Sequence, residues 1–170
     1  RTHPLTMGRI ADASNRAAQY APQTRNNSLD FKLIQARIAA LTHRPLLTLQ
    51  TSAGRKIDDK DDLIAQQYYQ ALYAAEQEDF AKSSMQLAKL IKTNQHLMLF
   101  QYSAAQVELM DDHPQKAHDI LKQMLAVFPG NVSLIERYAE SLLRLKQAKP
   151  ALQILKTTLR KHPEHFHLYQ

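Results

Sequence analysis

The sequence predicts an all-α fold, in which an N-terminal helical pair is followed by an antiparallel helix-turn-helix superhelix. Three observations predict it. Only three Gly occur among 170 residues, at positions 8, 54 and 130, whereas Rossmann-type and multi-turn β folds spend Gly on backbone positions with φ > 0. Ala, Leu, Gln and Lys are abundant, and all are good helix formers. From Asp61 onward, helical segments of roughly 14 to 18 residues follow one another with short breaks.

The composition also excludes function classes. Gly residues this far apart cannot form a Gly-rich phosphate cradle. The absence of Cys removes disulfides, thiolate zinc sites and a cysteine nucleophile. Hydrophobic residues make up 44%, enough to argue against wholesale disorder, and no apolar run approaches the ~18 residues of a membrane span. The net charge of +6 is unevenly distributed. Residues 1–60 carry 10 basic and 4 acidic side chains, residues 61–130 carry 5 and 9, and residues 131–170 carry 7 and 3. An acidic middle segment argues against a nucleic-acid binder, which concentrates positive charge along one face.

Taken in order, Thr6 is the expected N-cap of a first helix over Met7–Tyr20, with Pro22 as its stop. Ser28 caps a second helix, whose apolar face is expected to comprise Leu29, Phe31, Leu33, Ile34, Ile38 and Leu41, and Arg44-Pro45 ends it. The helical pair thus occupies residues 1–45. Residues 46–60 have no helical period and read as a linker.

The region 61–170 repeats with a period of 34. Pro129 and Pro163 are related by that offset, as are Ala117 and Ala151. A third copy aligns Ala71, Ala105 and Ala139; Leu87, Leu121 and Leu155; and Ile91, Leu125 and Leu159. Small residues recur where two helices must approach closely, and large aliphatics recur where a core must be filled. Two helices in a 34-residue period is the tetratricopeptide repeat (TPR) pattern. The units are assigned to 62–95, 96–129 and 130–163, with 164–170 starting a fourth. Pro114 and Pro150 open the second helix of a unit, where a missing N–H costs nothing. Asn131 is the expected cap of the helix after Gly130. The first copy departs from the pattern, with Ser83 in place of Ala and Gln95 in place of Pro.

The N-terminal segment carries a further resemblance. Arg1-Thr2-His3-Pro4-Leu5-Thr6, followed by Arg9-Ile10-Ala11-Asp12-Ala13 and Asn15-Arg16-Ala17, resembles the His-Pro segment of bacterial HExxH zinc metallopeptidases, the periplasmic β-barrel assembly-enhancing protease family in particular. In that family the segment follows the catalytic domain and precedes a helical pair, similar to Phe31 through Leu41, and then TPR repeats. Gln66-Gln67-Tyr68-Tyr69-Gln70-Ala71-Leu72 resembles the opening of the repeat region.

The resemblance implies the C-terminal part of such a protease, cut from a longer chain, located in the periplasm and serving envelope protein quality control and outer-membrane assembly. The HExxH motif does not occur in this sequence. The fragment is therefore expected to be inactive by itself and to hold no cofactor of its own, with zinc bound by the parent's peptidase domain. By position, His3 is the residue that would approach that zinc as a regulatory ligand, since a neutral imidazole can fill the position a catalytic zinc keeps open. The alternative is a free-standing TPR adaptor.

Other constellations carry less. His162, His165 and His167 near Glu164 lack a second ligand set and read as surface side chains. Asp58, Asp59, Asp61 and Asp62 lack EF-hand spacing and suit a helix N-terminus. The expected binding face is the concave side of the array, lined by the first helix of each unit. It comprises Tyr68, Tyr69 and Leu72 in the first copy, Leu99, Tyr102 and Gln106 in the second, and Glu136, Arg137, Glu140 and Arg144 in the third. Aromatics with mixed charge suit a protein or peptide partner, with no nucleic acid involved and no membrane span.

Overall fold

The computed structural model describes residues 6–17, 28–46 and 60–163. These residues form eight α-helices and no strand: α1 (Thr6–Ala17), α2 (Leu29–Leu41), α3 (Lys60–Glu76), α4 (Phe80–Thr93), α5 (Met98–Met110), α6 (Pro114–Val127), α7 (Val132–Arg144) and α8 (Ala148–Lys161). The all-α expectation holds. His3, most of the expected linker and the start of the expected fourth unit lie outside the described residues.

From α3 onward the helices form three antiparallel pairs, α3/α4, α5/α6 and α7/α8, which pack in sequence. The second helix of each of the first two pairs packs on its own partner and on the first helix of the next pair, so α4 contacts α3 and α5, and α6 contacts α5 and α7. The first helices, α3, α5 and α7, also touch one another and form one layer. Small residues sit where the helices cross: Ala71, Ala105, Ala117, Ala139 and Ala151 are all buried. Leu87 and Leu121, one period apart, are fully buried.

Local signals explain the boundaries. Asp79 and Asn131 cap α4 and α7 by accepting from the backbone N–H of Lys82 and Leu134 at 3.2 and 3.1 Å. Pro114 occupies the first turn of α6. The first helix of every pair ends in the same way. Glu78, Asp112 and Lys146, spaced by 34, adopt φ of 61°, 54° and 62°. The following N–H then bonds back to the carbonyls of Ala74, Glu108 and Leu142 at 2.8–2.9 Å. This is the Schellman closure, usually given to Gly. The chain manages with three Gly because charged residues accept the left-handed conformation at these turns.

Two sequence expectations are corrected. Thr6 is the first residue of α1 rather than its cap. In α2, Ser28 does cap the helix, accepting from Phe31 N–H at 3.3 Å. The buried face, however, is Leu33, Ala36, Ala39 and Ala40, while Phe31, Ile34, Ile38 and Leu41 are exposed. The physical reason is close packing. α2 lies against α3 at its alanine face, facing Ala65, Tyr68, Leu72 and Ala75, and small side chains on both helices allow that approach. The contacts advance together along both helices, with Lys32 paired to Asp62 at 2.8 Å and Arg37 to Tyr68 at 3.2 Å, so α2 and α3 run in the same direction.

Candidate protein-binding face

Three polar rungs join consecutive first helices, each linking residues 35 apart. The hydroxyls of Tyr68 and Ser103 lie 2.7 Å apart between α3 and α5. Between α5 and α7, Arg137 Nε donates to Tyr102 Oη at 3.5 Å, and Arg144 donates to the carbonyl of Leu109 at 2.8 Å. Each rung is one residue out of step with the 34-residue period, as expected when successive helices are displaced so that one side chain reaches over the next.

Arg37 of α2 ties the first two units together. Its guanidinium donates to Tyr68 Oη and Ser103 Oγ, both at 3.2 Å, and to Gln106 Oε1 at 2.7 Å. Its central carbon lies 5.5 Å from the centre of the Tyr102 ring, within reach of a cation–π attraction. A planar fork of N–H donors suits several acceptors at once.

The expected binding residues therefore divide. Tyr68 and Leu72 are buried beneath α2, at 0% and 5% exposure, and are not open to a partner. Burial pushes the Tyr68 hydroxyl above its ordinary pKa, against the lowering influence of Arg37 and Ser103. Tyr69 donates to the carbonyl of Arg44 at 3.2 Å and stacks on Tyr73. Leu99 packs against the first core cluster. Tyr102 and Gln106 are half-buried, as are Glu136, Arg137 and Glu140, while Arg144 is exposed. Tyr102, Arg137, Glu140 and Arg144 form one connected strip. Glu140 accepts from Arg137 at 2.7 Å and from Arg144 at 3.0 Å. Tyr102 and Glu140 together hold Arg137 protonated, raising its pKa in spite of partial burial.

Two features had no clear signal in the sequence. Arg37 lies outside the repeats, and no periodicity places it against α5. His118 meets Tyr138 at 3.0 Å between Nε2 and the hydroxyl, and Asp119 at 3.0 Å from Nδ1. A carboxylate can only accept, so Nδ1 donates to Asp119, and Nε2 pairs with the Tyr138 hydroxyl. The bond from His118, with a second from Gln115, lowers the pKa of Asp119.

A separate cleft of about 380 Å³ is lined by residues including Glu78, Asp79, Phe80, Glu108, Asp111 and Lys116. Within it Glu108 faces Lys116 at 3.5 Å and His113 at 3.4 Å. Among the described residues no group of three or more His, Cys, Asp or Glu side chains is placed to hold a metal ion. No described helix is long and apolar enough to cross a membrane.

Residues 108–170 match the family model described as a tetratricopeptide repeat. No match was found among curated proteins. The 34-residue period, the paired antiparallel helices and this match together show that the chain contains a tetratricopeptide-repeat region, a kind of region that suggests protein–protein interaction.

Proposed function

We propose that this chain is the protein-binding region of a bacterial HExxH zinc metallopeptidase, working in the periplasm in envelope protein quality control and outer-membrane assembly. In this reading it holds protein substrates or assembly partners for its own peptidase domain and is not catalytic by itself. The observation that carries the binding function is the strip Tyr102–Arg137–Glu140–Arg144, which is accessible and internally connected. Side chains already held by one another lose little freedom when a partner docks. The protease assignment is supported by the resemblance of Arg1–Thr6 and the following Arg9–Ala17 to the family's His-Pro segment. In that assignment His3 approaches the zinc of the peptidase domain, and the zinc supplies the Lewis acid for peptide hydrolysis.

Two experiments test the two parts. Proteins retained by the immobilised chain are compared with those retained by Tyr102→Ala and by Lys122→Ala on α6. Loss of the same species with Tyr102→Ala alone supports the binding face, and identical retention by all three rejects it. The protease part is tested by determining the sequence upstream of Arg1. An HExxH motif with a downstream Glu ligand supports it, whereas its absence leaves a free-standing adaptor.

A further inference from the structure

We infer that the open part of this face recognises an extended segment bearing carboxylates, held across α5 and α7 by the guanidinium groups of Arg137 and Arg144. The inference rests on the protein-binding reading and specifies its partner. Its basis is charge and donor count. Glu140 is shared by two arginines, so the triad Arg137–Glu140–Arg144 carries one more positive than negative charge. Arg37 lies over the Tyr102 ring, 5.5 Å from its centre. Glu136 offsets part of this field, and the strip including Arg37 and Glu136 still holds three cations against two anions.

The arginines are positioned but not saturated. Arg137 uses Nε for Tyr102 and one terminal nitrogen for Glu140. Arg144 uses its two terminal nitrogens for Leu109 and Glu140. A guanidinium has five N–H groups, so each retains donors, and their side chains are 40% and 41% exposed. Gln106 points its carbonyl oxygen at Arg37, which leaves its amide NH₂ as a further donor beside them. A face rich in donors with surplus positive charge complements carboxylates and backbone carbonyls, and a neighbouring half-exposed tyrosine adds apolar contact. Because α2 covers Tyr68 and Leu72, the segment engages the second and third units and not the first.

The test uses the full chain and fluorescently labelled extended peptides of equal length, rich in Glu, Gln or Lys, followed by anisotropy. The Glu peptide should bind about tenfold or more tightly than the Gln peptide, and the difference should shrink as salt is raised. Arg137→Gln and Arg144→Gln should each weaken the Glu peptide by about fivefold or more, with helicity retained by circular dichroism. Lys156→Gln on α8 removes the same net charge away from the strip and should leave binding unchanged. Equal binding of Glu and Gln peptides, no binding of any peptide, or equal weakening by Lys156→Gln overturns the inference. If binding is indifferent to peptide charge yet lost with Tyr102→Ala, the binding face stands and only the carboxylate preference fails.

Discussion

The hydroxyls of Tyr68 and Ser103 lie 2.7 Å apart, fully buried, where the first helices of two successive repeats meet. Arg37 donates to both oxygens. Either hydroxyl can donate to the other. Burial raises the Tyr68 pKa above the usual value of 10.0. A raised pKa means that the folded state holds this proton more tightly than the unfolded chain does. The contribution is complete below the ordinary tyrosine pKa and is lost as pH rises through it toward the folded value. Urea unfolding between about pH 9 and about pH 11 should show falling stability, with a shallower fall in Tyr68→Phe. Equal slopes in the two proteins would remove Tyr68 as the cause. At neutral pH the substitution should cost about 1–2 kcal/mol, because Ser103 and Arg37 lose a buried partner.

Arg37 is the only described residue outside the repeats that bonds to both α3 and α5. Arg37→Met keeps the apolar stem and removes the donors. It should cost about 2–3 kcal/mol and, in hydrogen exchange, weaken protection of α2 amides more than those of α7. Arg37→Lys should not restore stability, since a single ammonium cannot reproduce a planar fork spread over three acceptors. Uniform loss of protection across the chain would mean that α2 is not docked as a separate unit.

Ser83 occupies the position filled by Ala117 and Ala151 in the later units, and its hydroxyl is buried without a hydrogen-bond partner among the described residues. An unsatisfied buried hydroxyl carries a desolvation cost that Ala avoids. Ser83→Ala should therefore stabilise the protein by about 1 kcal/mol, read as a rise in the urea midpoint with unchanged slope. A fall in the midpoint would show that the hydroxyl is satisfied in solution.

Lys146 sits at φ 62° at the end of α7. A side chain with a Cβ pays about 1 kcal/mol or more to adopt this conformation, and Gly does not. Lys146→Gly should stabilise the chain by about 0.5–1 kcal/mol after its greater loss of unfolded-state entropy, while Lys146→Ala should not. Glu78→Gly, two periods earlier at φ 61°, should behave alike. Thermal unfolding of the three variants checks both sites.

Much of the repeat architecture was legible in the chain. Ala105, Ala117, Ala139 and Ala151 were expected at helix crossings, and all are buried there. Asn131 was expected as a cap, and it accepts from Leu134. These features are local or recur at a fixed period, so one chain carries its own comparison. Of the expected binding residues, only those of the second and third units stay accessible as a group. Tyr102, Gln106, Arg137, Glu140 and Arg144 come together along adjoining helices, whereas Tyr68 and Leu72 share their repeat positions but are covered.

The sequence by itself determined helix content, period, crossings and most caps, because these follow from propensity and spacing within one or two turns. Only the tertiary structure decided which face of α2 is buried. Its larger apolar side chains, Phe31, Ile34, Ile38 and Leu41, suggested the wrong face. Close approach to α3 selected Leu33, Ala36 and Ala40 instead, and that choice placed Arg37 against Tyr68, Ser103 and Gln106. A non-repeating helix has no second copy to show its register, and its docking depends on shape and hydrogen-bond satisfaction between residues 31 to 69 positions apart.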